Sequence, residues 1–122
     1  MFEVTPYVPY YTCECRPRGT PVQMNVAVST ITLRLAENQS LKGKRQFVQS
    51  AIARVQNRYH VAAAEVDHVD RWQLSTIGLA CVSNRVDHAR ETMDAAISYI
   101  AQNYPEVELL DATVEVFPFP VD

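Results

Sequence analysis

The residues of this chain that could do chemistry gather in two short stretches. The first is Ser40-Leu41-Lys42-Gly43-Lys44-Arg45. It sets three cations, Lys42, Lys44 and Arg45, at the start of a predicted helix, where backbone N–H groups have no partner within the helix. Such a place is ready for phosphate or another anion, and the electrostatic grip on a nucleic-acid backbone needs little more. Cations are locally unfavourable at a helix N-terminus, so their presence there calls for a reason. Arg54 and Arg58 extend the basic set along the same helix. No strand-linked glycine loop precedes it, so the stretch is not a Walker phosphate loop.

The second stretch is Glu65-Val66-Asp67-His68-Val69-Asp70-Arg71-Trp72-Gln73. The carboxylates of Glu65, Asp67 and Asp70 beside the imidazole of His68 are the groups of a hard-metal site or a general acid–base pair. Their spacing is not that of a zinc-binding helix, and no second ligand cluster stands out. The simpler reading is a polar turn in which Asp70 pairs with Arg71 or caps the loop and Trp72 covers the edge of the core. Recognition is the more open role for Asp70, Arg71 and Trp72, because tryptophan and arginine are common at interfaces. His60 and His88 are isolated, with no serine or cysteine that periodicity brings near, so nucleophilic catalysis has no support. No metal or cofactor is expected.

The remaining composition narrows the class. At 122 residues, 48% hydrophobic and 20% charged, the chain is one ordinary globular domain. No apolar run approaches the roughly 18–20 residues of a membrane helix. The start, MFEVTPYVPYYT, has no basic segment followed by an apolar one, so a secretory signal is not expected and a cytoplasmic location is. Cys13, Cys15 and Cys81 are too few for a disulfide framework; Cys81 reads as a small core hydrophobe, and Cys13 and Cys15 as half of a metal site at best. Net charge is −3 but uneven: residues 34–58 carry +5 and residues 59–122 carry −8. One basic end on an acidic body is implied, able to meet phosphate or simply to be solvated.

The elements that must position these groups follow from periodicity. Residues 1–24 hold four prolines with Tyr7, Tyr10 and Tyr11 and read as an extended arm, docked on its own domain or on a partner. Residues 25–35 alternate as a strand, with Ala27, Ser29, Ile31, Leu33 and Leu35 on one face. Ser40 caps a helix over 41–58 with an apolar stripe of Phe47, Val48, Ala51, Ile52 and Val55. Gly43 in its first turn permits a close backbone approach. Strands are predicted at 60–69 and 72–83. In the first of these, Ala62, Ala64 and Val66 are expected to lie against a helix, with the acidic alternate face turned away. Asn84 is expected to cap a helix over 85–103, and a last strand covers 107–117 before FPFPVD breaks the ladder.

The order β-α-β-β-α-β, with right-handed crossovers, gives an α+β ferredoxin-like sandwich: a four-stranded antiparallel sheet in the order 4-1-3-2, both helices on one face. The domain is assigned to residues 25–117, with the arm at 1–24 and a tail at 118–122. The helix-free sheet face must be polar, be covered by the arm, or pair with another subunit; Val26, Val28 and Val82 suit the last two. That face lacks the paired aromatics on which an RNA-recognition sheet stacks bases.

On SLKGKR (40–45), AEVDHVDRWQ (64–73) and GLACVSN (78–84) the chain resembles the YlxP-like bacterial family, a domain of unknown function. The resemblance spans about 24–116 with order and spacing intact, and leaves out the arm. It implies a ferredoxin-like fold and a loose link to translation through neighbouring ribosome-maturation and initiation-factor genes; it implies no catalytic residue. Residues and resemblance together predict a non-enzymatic accessory protein that binds rRNA or the ribosome through Ser40, Lys42, Lys44, Arg45, Arg54 and Arg58. The alternative is a protein-interaction module, a homo-oligomer or subunit of a larger complex. It would use the helix-free face, the arm tyrosines, and Asp70, Arg71 and Trp72.

Overall fold

A computed structural model of the chain describes residues 24–119. Residues 1–23 of the arm, with Tyr7, Tyr10, Tyr11, Cys13 and Cys15, and residues 120–122 lie outside the described residues. Six elements follow in order: β1 (Met24–Arg34), α1 (Leu41–Tyr59), β2 (Ala62–Asp67), β3 (Leu74–Ser83), α2 (Val86–Asn103) and β4 (Glu108–Phe119). The strands form one antiparallel sheet in the order β2-β3-β1-β4, which is a ferredoxin-like α+β sandwich.

β1 sits at the centre because both of its faces carry β-branched or small apolar residues. Ala27, Ile31 and Leu33 are fully buried beneath the helices, while Val26, Val28 and Thr32 on the other face are only partly covered. Its register runs from Asn25 opposite Ser83 to Arg34 opposite Leu74 on one side. On the other it begins with Met24 opposite Phe119, so the two ends of the described chain meet at one corner. The core joins these residues to Ile77 and Leu79 of β3, Ala51 and Val55 of α1, and Ala89, Met93, Ala96 and Ile100 of α2.

Local chemistry sets the boundaries. Ser40 is extended (φ −152°, ψ 152°), and its hydroxyl accepts the Gly43 N–H at 2.9 Å, capping α1. The helix closes on His60, which adopts the left-handed conformation (φ 57°) and returns its N–H to the Gln56 carbonyl. At the start of α2, Arg85 rather than Asn84 occupies the capping position, with no side-chain cap bond. Ser83 Oγ instead accepts the Arg85 N–H, and Asp87 receives the His88 N–H and the Arg85 guanidinium. That guanidinium holds the Asp87 carboxyl below its usual range.

Two expectations change. β4 continues through Pro118 to Phe119, beyond 117, because β4 is an edge strand and needs no outward N–H at that proline. More consequentially, the faces of β2 are inverted. Val61, Ala63 and Glu65 turn toward the helices, while Ala62, Ala64 and Val66 are exposed on the helix-free face. Three consecutive alanines state no preference between faces, and Glu65 decides the matter. A shift of register between Glu65 and Asp67 follows, and Val66 packs over Gly78, where a β-carbon would crowd it.

Fully buried Ile77 and 63%-exposed Val82 lie in the same strand and contrast the two faces. Ile77→Ala is expected to lower unfolding free energy by about 2–5 kcal/mol. In the isolated single chain, Val82→Ala should change it by no more than about 0.5 kcal/mol. Urea denaturation of both variants checks the pair.

Candidate functional site

The two chemistry-bearing stretches meet in space, and they meet through Lys44. This lysine stands in the first turns of α1 with its side chain fully buried. Its ammonium lies 2.6 Å from Glu65 Oε2. It also donates to the carbonyls of His68 at 2.5 Å and Val69 at 3.0 Å. All three of its donors are therefore taken by β2 and the loop that follows. Glu65 is held on its other side by the Ser75 hydroxyl, which donates to the same oxygen at 2.8 Å.

The loops around this pair are laced together. Asn38 Nδ2 donates to the carbonyls of Ser40 and Trp72, at 2.6 and 2.7 Å. Gln73 Nε2 donates to the carbonyls of Ala36 and Asn38, and the Leu35 N–H returns to the Gln73 carbonyl. Gly43 explains itself here: a β-carbon at that position would collide with the Asn38 side chain that makes the bridge. His68, at φ 60°, bends the loop so that its carbonyl faces Lys44, and its Nδ1 lies 3.0 Å from Thr76 Oγ1.

This geometry corrects part of the sequence expectation. Lys44 is no phosphate contact, because burial and three internal acceptors leave it nothing to offer a ligand. The Ser40 hydroxyl serves the helix cap. Lys42 and Arg45 are exposed in the first turns of α1, with no acid in the first turn. Arg54 and Arg58 are exposed as well, Arg54 over the Tyr104 ring and Arg58 over Tyr99 and Tyr59. Asp70, Arg71 and Trp72 are exposed, and no ion pair joins Asp70 to Arg71. Trp72, 54% exposed, covers the core edge only in part.

The would-be acid–base cluster is split. Glu65 faces the helices and Lys44, whereas His68 is spent on Thr76 and Asp67 receives the His68 N–H. Among the described residues, no three histidine, cysteine or acidic side chains are gathered to hold a metal. Burial pushes the Cys81 thiol above its ordinary pKa, the opposite of what an attacking thiolate needs.

Sequence reasoning misses the internal role of Lys44, although the sequence carries its signal. Position 44 continues the stripe of Val48, Ala51 and Val55 by one more helical step, so an inward lysine is written into the periodicity. Against that signal stands a strong rule: a lone lysine almost never enters a core without a partner. The partner, Glu65, lies in another element.

Removing one member of a buried pair strands the other, at a cost of about 3–5 kcal/mol. Lys44→Ala is expected to show a loss of that order by urea denaturation, and Lys42→Ala, on the exposed side of the same turn, almost none. Equal effects of the two substitutions would contradict the placement of Lys44.

A family model described as "Protein of unknown function (DUF503)" matches residues 26–114. The uncharacterized protein YlxP of Bacillus subtilis (strain 168) is 31% identical over 78 residues, covering 64% of this chain and 84% of that protein. Protein SO0527 from Shewanella oneidensis, a solved structure, aligns with a TM-score of 0.44 at 19% identity, over 80% of this chain and 92% of its own. The resemblance first seen in SLKGKR and AEVDHVDRWQ thus extends through both halves of the sandwich, and the chain belongs to the DUF503 family, of which YlxP is a relative.

Proposed function

We propose that the chain is a non-catalytic protein-interaction module whose helix-free sheet face binds a second copy of itself. One observation carries this reading: the face is apolar across three strands and has no cover among the described residues. Val26, Val28, Ala62, Ala64, Gly78 and Ala80 form its centre, and Val66, Val82 and Phe117 project from it, 57%, 63% and 41% exposed. Three strands about 4.8 Å apart, with an 11-residue β1 rising about 3.3 Å per residue, offer roughly 500 Å² of face. A stable interface takes about 800 Å² from each partner, a figure that side-chain relief brings within reach. A two-fold arrangement uses the same patch twice, so a single surface suffices.

A second reading, binding to rRNA or the ribosome, rests on the exposed cations of α1. Lys42 and Arg45 stand at its N-terminus and Arg54 and Arg58 farther along, without Lys44. Under this reading, polyanion affinity falls steeply with salt. Replacing Lys42 and Arg45 by alanine reduces the slope of log K against log salt by about 0.7–0.9 for each phosphate that is no longer neutralised. Absence of rRNA binding at low salt removes it.

For the first reading, light scattering at micromolar concentration should find a dimer or larger assembly. Val66→Lys combined with Val82→Lys should yield a folded monomer, since both side chains are exposed in the single chain. Native protein that is monomeric and purifies alone from its own cell overturns it.

A further inference from the structure

We propose a nucleotide-binding site at the end of the sheet, where Arg34, Arg71 and Trp72 surround a cleft of about 520 Å³. It is separate from both the buried lysine and the apolar sheet centre. Ala36, Gln73 and Leu74 complete its lining. In this site the Trp72 ring stacks on a base, and the Arg34 and Arg71 guanidinium groups hold the phosphate.

Three features of the cleft select that chemistry. First, two arginines line it from different elements, Arg34 from the end of β1 and Arg71 from the β2–β3 loop. Acids stand nearby in sequence and register, Asp70 beside Arg71 and Glu108 opposite Arg34, yet among the described residues none is within ion-pair distance of either arginine. Two cations lining one concavity, neither paired with a described acid, suit a phosphate. The planar, forked guanidinium matches phosphate oxygens two at a time.

Second, Trp72 is exposed although it is the largest apolar side chain of the chain and borders the core. An exposed indole beside cations is a stacking platform for a flat π-face, worth about 1–3 kcal/mol per base where it has been measured by alanine substitution. An inorganic anion alone would leave it unused. The cleft volume lies within the roughly 300–1,000 Å³ typical of small-ligand sites.

Third, the wall is fixed before any ligand arrives. The Trp72 carbonyl is held by Asn38, Gln73 is bonded through its amide and its carbonyl to 35–38, and the loop behind is clamped by Lys44. A site ordered in advance pays less entropy on binding. A free mononucleotide and a nucleotide within a single strand both present a base and an anionic phosphate, the first as a monoester and the second as a diester, and either source satisfies this chemistry.

Trp72 is the only tryptophan of the chain, so its fluorescence reports directly on the site. The full chain is titrated with adenosine monophosphate, with a short 5′-phosphorylated oligoadenylate, and with adenosine and inorganic phosphate separately. Saturable quenching at submillimolar concentration by the mononucleotide supports the site with a free nucleotide as ligand; quenching by the oligomer alone supports it with a strand as ligand. In both cases Arg34→Gln and Arg71→Gln should each weaken binding about tenfold, as loss of a charge-assisted hydrogen bond does. Both arginines are exposed, so the variants should keep the thermal unfolding of the parent. No saturable change with either nucleotide, or undiminished affinity in the double variant, overturns the proposal. So does equal binding of inorganic phosphate, which would leave the indole without a role.

Discussion

A lysine ammonium without water must be given acceptors, and the upper half of this fold is arranged to supply three. Lys44 reaches from the first turns of α1 across the top of the sheet to Glu65 and to two carbonyls of the following loop. The consequences run outward from there. Glu65 must face the helices, so β2 turns its alanines to the other side. The loop after β2 must bend back, so His68 takes a left-handed backbone. A buried pair of this kind is weak evidence for net stability, since hydrophobic replacements of similar volume often do as well. A one-residue slip of β2 against β3 would turn Glu65 to the open face and leave both charges without partners.

The two most recognisable motifs of the chain therefore look different once their partners are known. SLKGKR supplies a cap in Ser40, a gap in Gly43 and an inward charge in Lys44. AEVDHVDRWQ supplies the countercharge in Glu65, the accepting carbonyls of the loop, and in Gln73 a side chain that ties that loop to 36–38. The two motifs are halves of one interlocked structure. What they hold in place is an exposed tryptophan in a cleft that Arg34 and Arg71 also line.

Local pattern is enough for most of the architecture. The alternation of β1 and the stripe of α1 agree with the burial observed, and the order of the elements leaves one sensible topology. Where local pattern fails, a tertiary partner has decided. Ala62-Ala63-Ala64 fits either face, and only Lys44, eighteen or more residues earlier, tells it which to choose. His60 ends a helix where glycine is the usual signal, and Asn84 has the side chain of a cap but not its position. The site is legible in the sequence as a set of residues and not as an arrangement. Composition shows that charges are present, but not which of them are already satisfied.

The pairing of Met24 with Phe119 gives the domain a further property. Neighbouring strands lie about 4.8 Å apart, so the beginning and end of the sandwich are adjacent. Topologically the domain is almost a ring, opened between β4 and β1. The opening has no special status: a short bridge between those ends and a new break in an exposed loop would preserve every strand pairing and both crossovers. Any segment attached before β1 or after β4 also leaves from the same corner. The attachment points at the two ends are thereby neighbours in space, however far apart they stand in the chain.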